Sequence, residues 1–239
     1  MKRFYDAVSI RAVDTGEAKS GWQVTLDGRG LKTVKGTAQI VPSQALAKAL
    51  AAEWAGQSED LDPATFPLRD MTDYAIDVVS ADPVAAAEKV LSYGDTDTLL
   101  YRADPDEPLY VRQMEVWEPI VSAFEQREGV AMVRVSGIIH RPQKDETFET
   151  LRRRLSTISP LPLAGIELMT SLAASLIVGL AASETEDEAD AFALWQAASL
   201  EEEWQADLWG REAEAEERRA KRQSDFLKAR EATRLAISG

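Results

Sequence analysis

Residues 22–33 read WQVTLDGRGLKT, and the dipeptide Asp27-Gly28 at their centre decides how the N-terminal part of the chain folds. Asp followed by Gly accepts the positive φ angles of a two-residue hairpin turn, so residues 22–26 and 29–33 read as paired antiparallel strands. Lys35-Gly36 offers a second turn before a short strand at residues 38–41, and the whole reads as a small meander. At Pro42-Ser43 the period changes. Ser43 is a suitable N-cap, Leu46, Leu50 and Trp54 recur every fourth residue, and Gly56 ends the helix. A helix of that pattern is expected to lie across the sheet as an α+β layer pair.

Further along, the pattern is helical with prolines at the joints. Asp82-Pro83 reads as a cap with proline at the first helical position, in a helix carrying Val84, Val90 and Leu91 and ended by Gly94. Residues 108–127 place Tyr110, Met114, Trp117, Val121 and Phe124 at helical spacing, with Pro119 expected to kink the helix or to mark its true start. A short strand is expected at residues 131–138. Helices follow at about residues 145–158, 164–182 and 187–209, and a charged helix closes the chain. The fold class is therefore α+β, with a β-containing domain at residues 1–80 and a helical bundle at residues 81–239.

With 239 residues the chain is long enough to bury a core without staples, and its lack of cysteine excludes disulfide frameworks and thiolate metal sites. Its 27 basic and 41 acidic residues give a formal charge of −14, a field that repels phosphate backbones and disfavours nucleic acid as a partner. The opening MKRFYDAVSI has neither the apolar core of a secretory signal nor an Arg-rich organelle lead, so a bacterial cytoplasmic protein is expected. Residues 161–182 are apolar enough to raise the question of membrane insertion. They contain Pro162, Glu167, Thr170, Ser171 and Ser175, which fit a buried core helix instead.

Signatures of catalysis are sparse. His140 is the only histidine, so neither a histidine metal cluster nor a Ser–His–Asp arrangement can be assembled around a nucleophile elbow, and it reads as a surface or structural residue. Residues 16–21, GEAKSG, space two glycines like a phosphate loop but lack the Lys-Ser/Thr pair after the second, and read as a turn. Asp95 and Asp97 offer the one enzymatic alternative. Two carboxylates two residues apart can share a magnesium ion in a small metal-assisted hydrolase, but such pairs follow a buried strand, whereas a helix precedes these. Capping of the next element is the competing reading for both. No cofactor, metal or nucleotide is expected.

Helical spacing over residues 187–209 puts Trp195, Ala198, Glu202, Ala206 and Trp209 on one face. Leu194, Ala197, Leu200, Glu201, Trp204 and Leu208 fall on the opposite face, so the helix is apolar on two sides. Glu201 and Glu202 interrupt these stripes, and each needs a positive group within the fold or on a partner. Residues 211–234 pair Glu214 with Arg218 and Glu217 with Lys221 at helical spacing, as in a solvated helix with little packing of its own.

Several segments in order resemble one family, the assembly chaperones that act on the alpha subunit of the catalytic head of F-type ATP synthase in mitochondria and alpha-type proteobacteria. They include Lys2-Arg3-Phe4-Tyr5 with Val8, Leu26-Asp27-Gly28-Arg29 with Leu31-Lys32-Thr33, Ala45-Leu46-Ala47 with Glu53-Trp54, and Pro67-Leu68 with Ala75-Ile76-Asp77. Asp95-Thr96-Asp97 with Tyr101-Arg102, Trp117-Glu118-Pro119, Gly165-Ile166-Glu167, and Glu201-Glu202-Glu203-Trp204-Gln205 with Trp209-Gly210 continue the series. Gly30 and Val34 stand where the family pattern leads one to expect prolines, and Trp204 replaces Tyr or Phe. The resemblance implies a non-enzymatic chaperone that shields free alpha subunit before it pairs with beta, and the chain is expected to be a monomer. Apolar anchors within an acidic rim suit such a transient hold, which makes Glu201, Glu202, Glu203, Trp204 and Trp209 the candidate partner-binding residues.

Overall fold

Asp27 and Gly28 both adopt left-handed backbone, with φ of 47° and 78°, in the computed structural model of the chain. The structure describes residues 1–14, 16, 21–137 and 139–237. The turn joins β2 (Gly21–Leu26) to β3 (Arg29–Gly30), pairing Leu26 with Arg29 and Thr25 with Gly30. Asp27 also receives hydrogen bonds at its carboxylate from the backbone of Asp6 and Ala7 (3.1 and 2.8 Å), tying the turn to the strand entering β1 (Val8–Val13). β2 is the centre of a four-stranded antiparallel sheet, paired with β1 along its length and with β3 and β4 (Ile40–Val41) on its other edge. The expected second strand is shorter than its sequence suggests, because the chain turns tightly between Thr33 and Thr37, with Gly36 at φ 89°. The glycine-spaced turn expected at residues 16–21 lies largely outside the described residues.

Helix α1 (Gln44–Ala55) begins at Ser43, whose Oγ accepts from Leu46 N at 3.0 Å, and buries Leu46, Leu50 and Trp54 against β1 and β2. Trp54 is the hub of an aromatic cluster with Tyr5 (5.6 Å between ring centroids) and Phe66 (4.6 Å), and the Tyr5 hydroxyl donates to Trp54 O at 2.6 Å. Glu53 uses both carboxylate oxygens to cap α2 (Pro67–Tyr74), accepting from Leu68 N and Arg69 N at 2.7 and 2.9 Å. Beyond α2, a π-helical turn (Ala75–Val79) presents Asp77 to Thr33 and Lys35, while Asp73 accepts from Gln39.

The chain divides into two compact units. The first comprises Met1–Pro83, Ser159–Gly165 and Glu231–Gly239, and the second Val84–Ile158 and Ile166–Arg230. In the first, Ser43 Oγ donates to Leu235 O at 2.5 Å, which ties the end of the chain to the start of α1.

The second unit is built of α3 (Pro83–Ser92), α4 (Pro108–Glu128), α5 (Asp145–Ser156), most of α6 (Pro160–Ala173), α7 (Leu176–Ser183), α8 (Glu188–Ala198), α9 (Leu200–Trp209) and the larger part of α10 (Ala213–Ile237). A two-residue parallel pair, β5 (Tyr101–Arg102) with β6 (Val135–Ser136), completes it. α4 runs unbroken through Pro119, so that proline does not mark a helix start. Trp117, Val121 and Phe124 are buried as their spacing predicts. Arg102 and Arg134 converge on Glu118, at 2.7 and 2.8 Å, and fasten the β5–β6 pair to α4.

Two expected helices are each split in two, and a third is more buried than its sequence suggests. The apolar stretch expected as one helix at residues 164–182 is two, broken at Ala174, whose φ is 47°. Ser175 caps α7 by accepting from Val178 N at 3.0 Å, and Asp97 locks that cap from outside. Asp97 accepts from Ser175 Oγ (2.7 Å), Ile177 N (3.0 Å) and Leu99 N (3.0 Å). This acceptor compensates the break, since the N-terminal N–H groups of a newly started helix need acceptors. Among the described residues no helix is long and apolar enough to cross a membrane. Next, the helix expected at residues 187–209 breaks at Ser199 into α8 and α9.

Lastly, α10 is less solvated than its charge pattern suggests. Glu214 and Arg218 pair at 2.6 Å, but Lys221 turns to Asp225 rather than to Glu217. Phe226, Ala229, Arg230, Ala232, Thr233 and Ala236 are buried. Arg230 is held by Thr185, with its Nε 3.0 Å from Thr185 Oγ1, so a charged letter here hides a packed stem.

Two tests follow from this packing. α6 and α7 approach so closely at Gly179 that a Cβ there would lie 2.1 Å from Thr170 Oγ1 and 3.0 Å from Thr170 N. Gly179→Ala should therefore lower stability by about 1–3 kcal/mol in a urea titration, and an unchanged midpoint would contradict the close approach. The second concerns Asp97, which burial pushes from 3.8 up to about 6 against the opposing hydrogen bonds from Ile177, Ser175 and Leu99. The folded chain then binds this proton more tightly than the unfolded chain, so its contribution is fully present below pH 3.8 and is lost as pH rises through about 6. Replacing Asp97 by Asn removes that titration and leaves one donor unmet. The stability gap between wild type and Asp97→Asn should narrow by roughly 3 kcal/mol between about pH 4 and pH 7; a flat or widening gap would refute the assignment.

Candidate functional site

Helix α9, LEEEWQADLW, contains no buried residue. Its three glutamates occupy the first turn, where carboxylates interact favourably with the exposed N–H groups of the helix. Glu202 is exposed and pairs with Arg222 Nη1 of α10 at 3.1 Å, while the Arg222 guanidinium lies 5.4 Å from the centre of the Trp195 ring. Glu203 pairs with Arg211 (2.8 Å) and Arg219 (3.5 Å), and Arg211 also holds Asp207 at 2.7 Å. The pairs with Arg222 and Arg211 are exposed or half-exposed and exchange readily with other charged groups, whereas Arg219 is buried.

Glu201 differs from its neighbours. It is half-buried, and among the described residues its carboxylate accepts one hydrogen bond, from the neutral amide of Gln113 on α4, with Nε2 donating to Oε1 at 2.6 Å. Among the described residues no cation lies within ion-pair distance of it. Burial pushes the Glu201 carboxyl above the usual carboxylate range, and the Gln113 hydrogen bond opposes that only in part. Of the two positive partners required by the sequence, the structure supplies one, Arg222 for Glu202.

The apolar stripes resolve differently too. Trp195 packs on Phe226 of α10 at 5.3 Å between centroids, so the stripe that carries Trp195 is covered at that point. On the opposite stripe Ala197 O accepts from Trp117 Nε1 at 2.7 Å, but Leu194, Leu200 and Trp204 are half-buried. Leu208 is 65 % exposed and Trp209 86 % exposed. The five candidate residues thus share one short helix, with Trp209 at its free end and Glu201 where it meets α4. Gln113 was not identifiable from sequence as a partner of Glu201, since nothing in a helix register relates residues of α4 to those of α9.

The alternative carboxylate pair does not assemble. Asp97 is fully buried and occupied by the α7 cap, whereas Asp95 faces His140, with Nε2 3.4 Å from Oδ2. His140 Nδ1 in turn lies 2.7 Å from the Tyr101 hydroxyl. With the proton on Nε2, this is a chain of donors from Tyr101 through His140 to Asp95, half exposed, that joins the loop after α3 to the segment after β6. Among the described residues no group of three or more acidic or histidine side chains is placed to hold a metal ion.

Comparison with known proteins gives a consistent result. The sequence profile of one family, described as ATP12 chaperone protein, matches residues 2–125, just over half of the chain. The mitochondrial protein atp12 of Schizosaccharomyces pombe is 29% identical over 209 residues, covering 81% of this chain and 70% of that protein. The crystal structure of Atp12 from Paracoccus denitrificans superposes with a TM-score of 0.87 at 33% identity, covering 98% of each chain. The Atu1473 protein of Agrobacterium tumefaciens, described as a candidate chaperone, gives 0.89 at 33% identity, covering 99% of this chain and 86% of that one. Fold and sequence together place the chain where its ordered motifs pointed, and it belongs to the ATP12 chaperone family.

Proposed function

We propose that this chain is a non-enzymatic chaperone for assembly of F-type ATP synthase, which holds the free alpha subunit of the catalytic head and prevents its aggregation until beta takes its place. The observation that carries the reading is α9, an acidic helix without a buried residue that ends in an almost fully exposed tryptophan, in a member of a chaperone family. Trp209 and Trp204 supply apolar anchors, and the glutamates supply the rim. Large aromatics surrounded by polar groups dominate the energetics of such surfaces.

The chemistry also provides for release. Glu202 and Glu203 have exposed arginine partners of their own in Arg222 and Arg211, so a basic client residue can exchange for them with little net gain. Glu201 lacks such a partner, and a client cation brought beside it would offset its desolvation. Catalysis is not required by this reading, since Asp97, the more buried member of the carboxylate pair, is committed to the α7 cap. The chain would act as a monomer, in the bacterial cytoplasm where the catalytic head assembles.

Co-expression with the alpha subunit, pull-down and light scattering of the alpha subunit test the proposal. Wild type should co-purify with it and suppress scattering. Trp209→Ala should unfold within about 0.5 kcal/mol of wild type, as expected for an exposed side chain, yet lose roughly tenfold or more in binding. Glu201→Lys should remain folded and lose protection, while Glu202→Lys should cost stability of about 1 kcal/mol or less. Undiminished protection by both Trp209→Ala and Glu201→Lys would remove α9 from the client surface, and failure of wild type to hold the alpha subunit would remove the function itself.

A further inference from the structure

The stripe of α8 that α9 continues opens into a groove. Val116 and Ile120 of α4 form one wall, Ala193, Leu194 and Ala197 of α8 the other, and Ala181 of α7 contributes between them, around a cavity of about 620 Å³. α7 packs against both α4 and α8, and the Trp117 hydrogen bond to Ala197 O joins the two walls. Ala193 is exposed and Val116, Ile120 and Leu194 are half-buried, so aliphatic surface remains open along the channel.

Its charges are unevenly satisfied. At one end Arg127 is engaged by Glu184 (3.0 Å) and Glu128 (2.9 Å), and Arg154 also holds Glu184 at 3.0 Å. Asp190, which lines the same end, has no ion pair among the described residues. One turn beyond the other end, where Val116 and Ala197 face each other, lie Gln113 and the half-buried Glu201. An aliphatic channel roughly 10 Å long, measured along α8 from Asp190 to Ala197, therefore has at one end Asp190, exposed and outside the ion pairs of Arg127 and Arg154, and beyond the other end Glu201, with no cation within ion-pair distance of either carboxylate among the described residues. Its far end is continuous with α9.

We infer that this groove is a docking channel for an amphipathic helix of the client, about two turns long over the channel and a third reaching Glu201, with aliphatic residues on one face and Lys or Arg at both ends. The inference deepens the chaperone reading and rests on it for the identity of the client. Helix-in-groove recognition needs apolar anchors one turn apart, which the channel length accommodates, and charge at the ends to fix register. Complementarity selects this occupant. A second copy of a chain with a net charge of −14 brings like charge to the rim, as does an anionic membrane surface.

The test is a fluorescence anisotropy titration of the full chain with two labelled synthetic helices, one of leucine and lysine and its twin of leucine and glutamate, at physiological salt. The lysine helix should bind saturably and the glutamate twin should not. Ala193→Trp fills the channel without altering charge and should weaken the lysine helix by about tenfold or more; Ile120→Gln, a second neutral change, should weaken it in the same direction, with the melting temperature of each variant recorded. Absence of binding by wild type, or equal binding by wild type and both variants, which would mean attraction by charge alone, overturns the inference. So does a dimer of the chain, seen by sedimentation, that Ala193→Trp abolishes, because the occupant would then be a second copy. With the alpha subunit itself, equal capture by wild type and Ala193→Trp overturns the groove but leaves the chaperone reading intact. Failure of wild type to capture the alpha subunit overturns that reading, while the peptide titration still decides the groove.

Discussion

A single buried carboxylate sets the geometry on which the second unit depends. Asp97 accepts from Ser175 Oγ and Ile177 N, across nearly eighty residues of sequence, and so ends α6 and starts α7 at a fixed place. Without that acceptor the apolar run would have no local reason to break at Ala174, which carries positive φ without the freedom of a glycine. α7, once started there, packs on both α4 and α8. The cost is a desolvated carboxyl with its pKa raised to about 6. A buried charge with all its donors in place specifies one arrangement even where it adds little stability.

What was legible in the sequence followed from local chemistry. The Asp27-Gly28 turn, the Ser43 cap and the spacing of Leu46, Leu50 and Trp54 are each settled within a few residues, and the structure has them as read. The breaks at Ala174 and Ser199 were not legible, because neither site carries the proline or glycine that announces an end. The acceptor that accompanies the first, Asp97, is distant in sequence. α10 misled for another reason: Arg219 and Arg230 are buried, with their guanidinium groups against Glu203, Glu216 and Thr185, which a pattern of charges cannot reveal.

The candidate site divides in the same way. The acidic and aromatic composition of residues 201–209 was visible at once, and so was its two-sided apolar character. The distribution of partners was not. Glu202 draws Arg222 from α10, Glu203 draws Arg211 and Arg219, and Glu201 meets only the amide of Gln113. That inequality, together with the exposure of Leu208 and Trp209, is what supports the proposed docking role of α9 over simple solvation. Membership of a chaperone family motivates the proposal, and the open channel between α4 and α8 would extend such a surface beyond one helix.

The central claim is that the client is held on α9 and the adjoining α8. Hydrogen–deuterium exchange of the chain, alone and saturated with purified alpha subunit, tests it most directly. The account predicts that amides of residues 188–209 gain protection in the complex while those of the N-terminal sheet, residues 8–41, exchange as before. Protection confined to the sheet, with residues 188–209 exchanging as in the free chain, would contradict it.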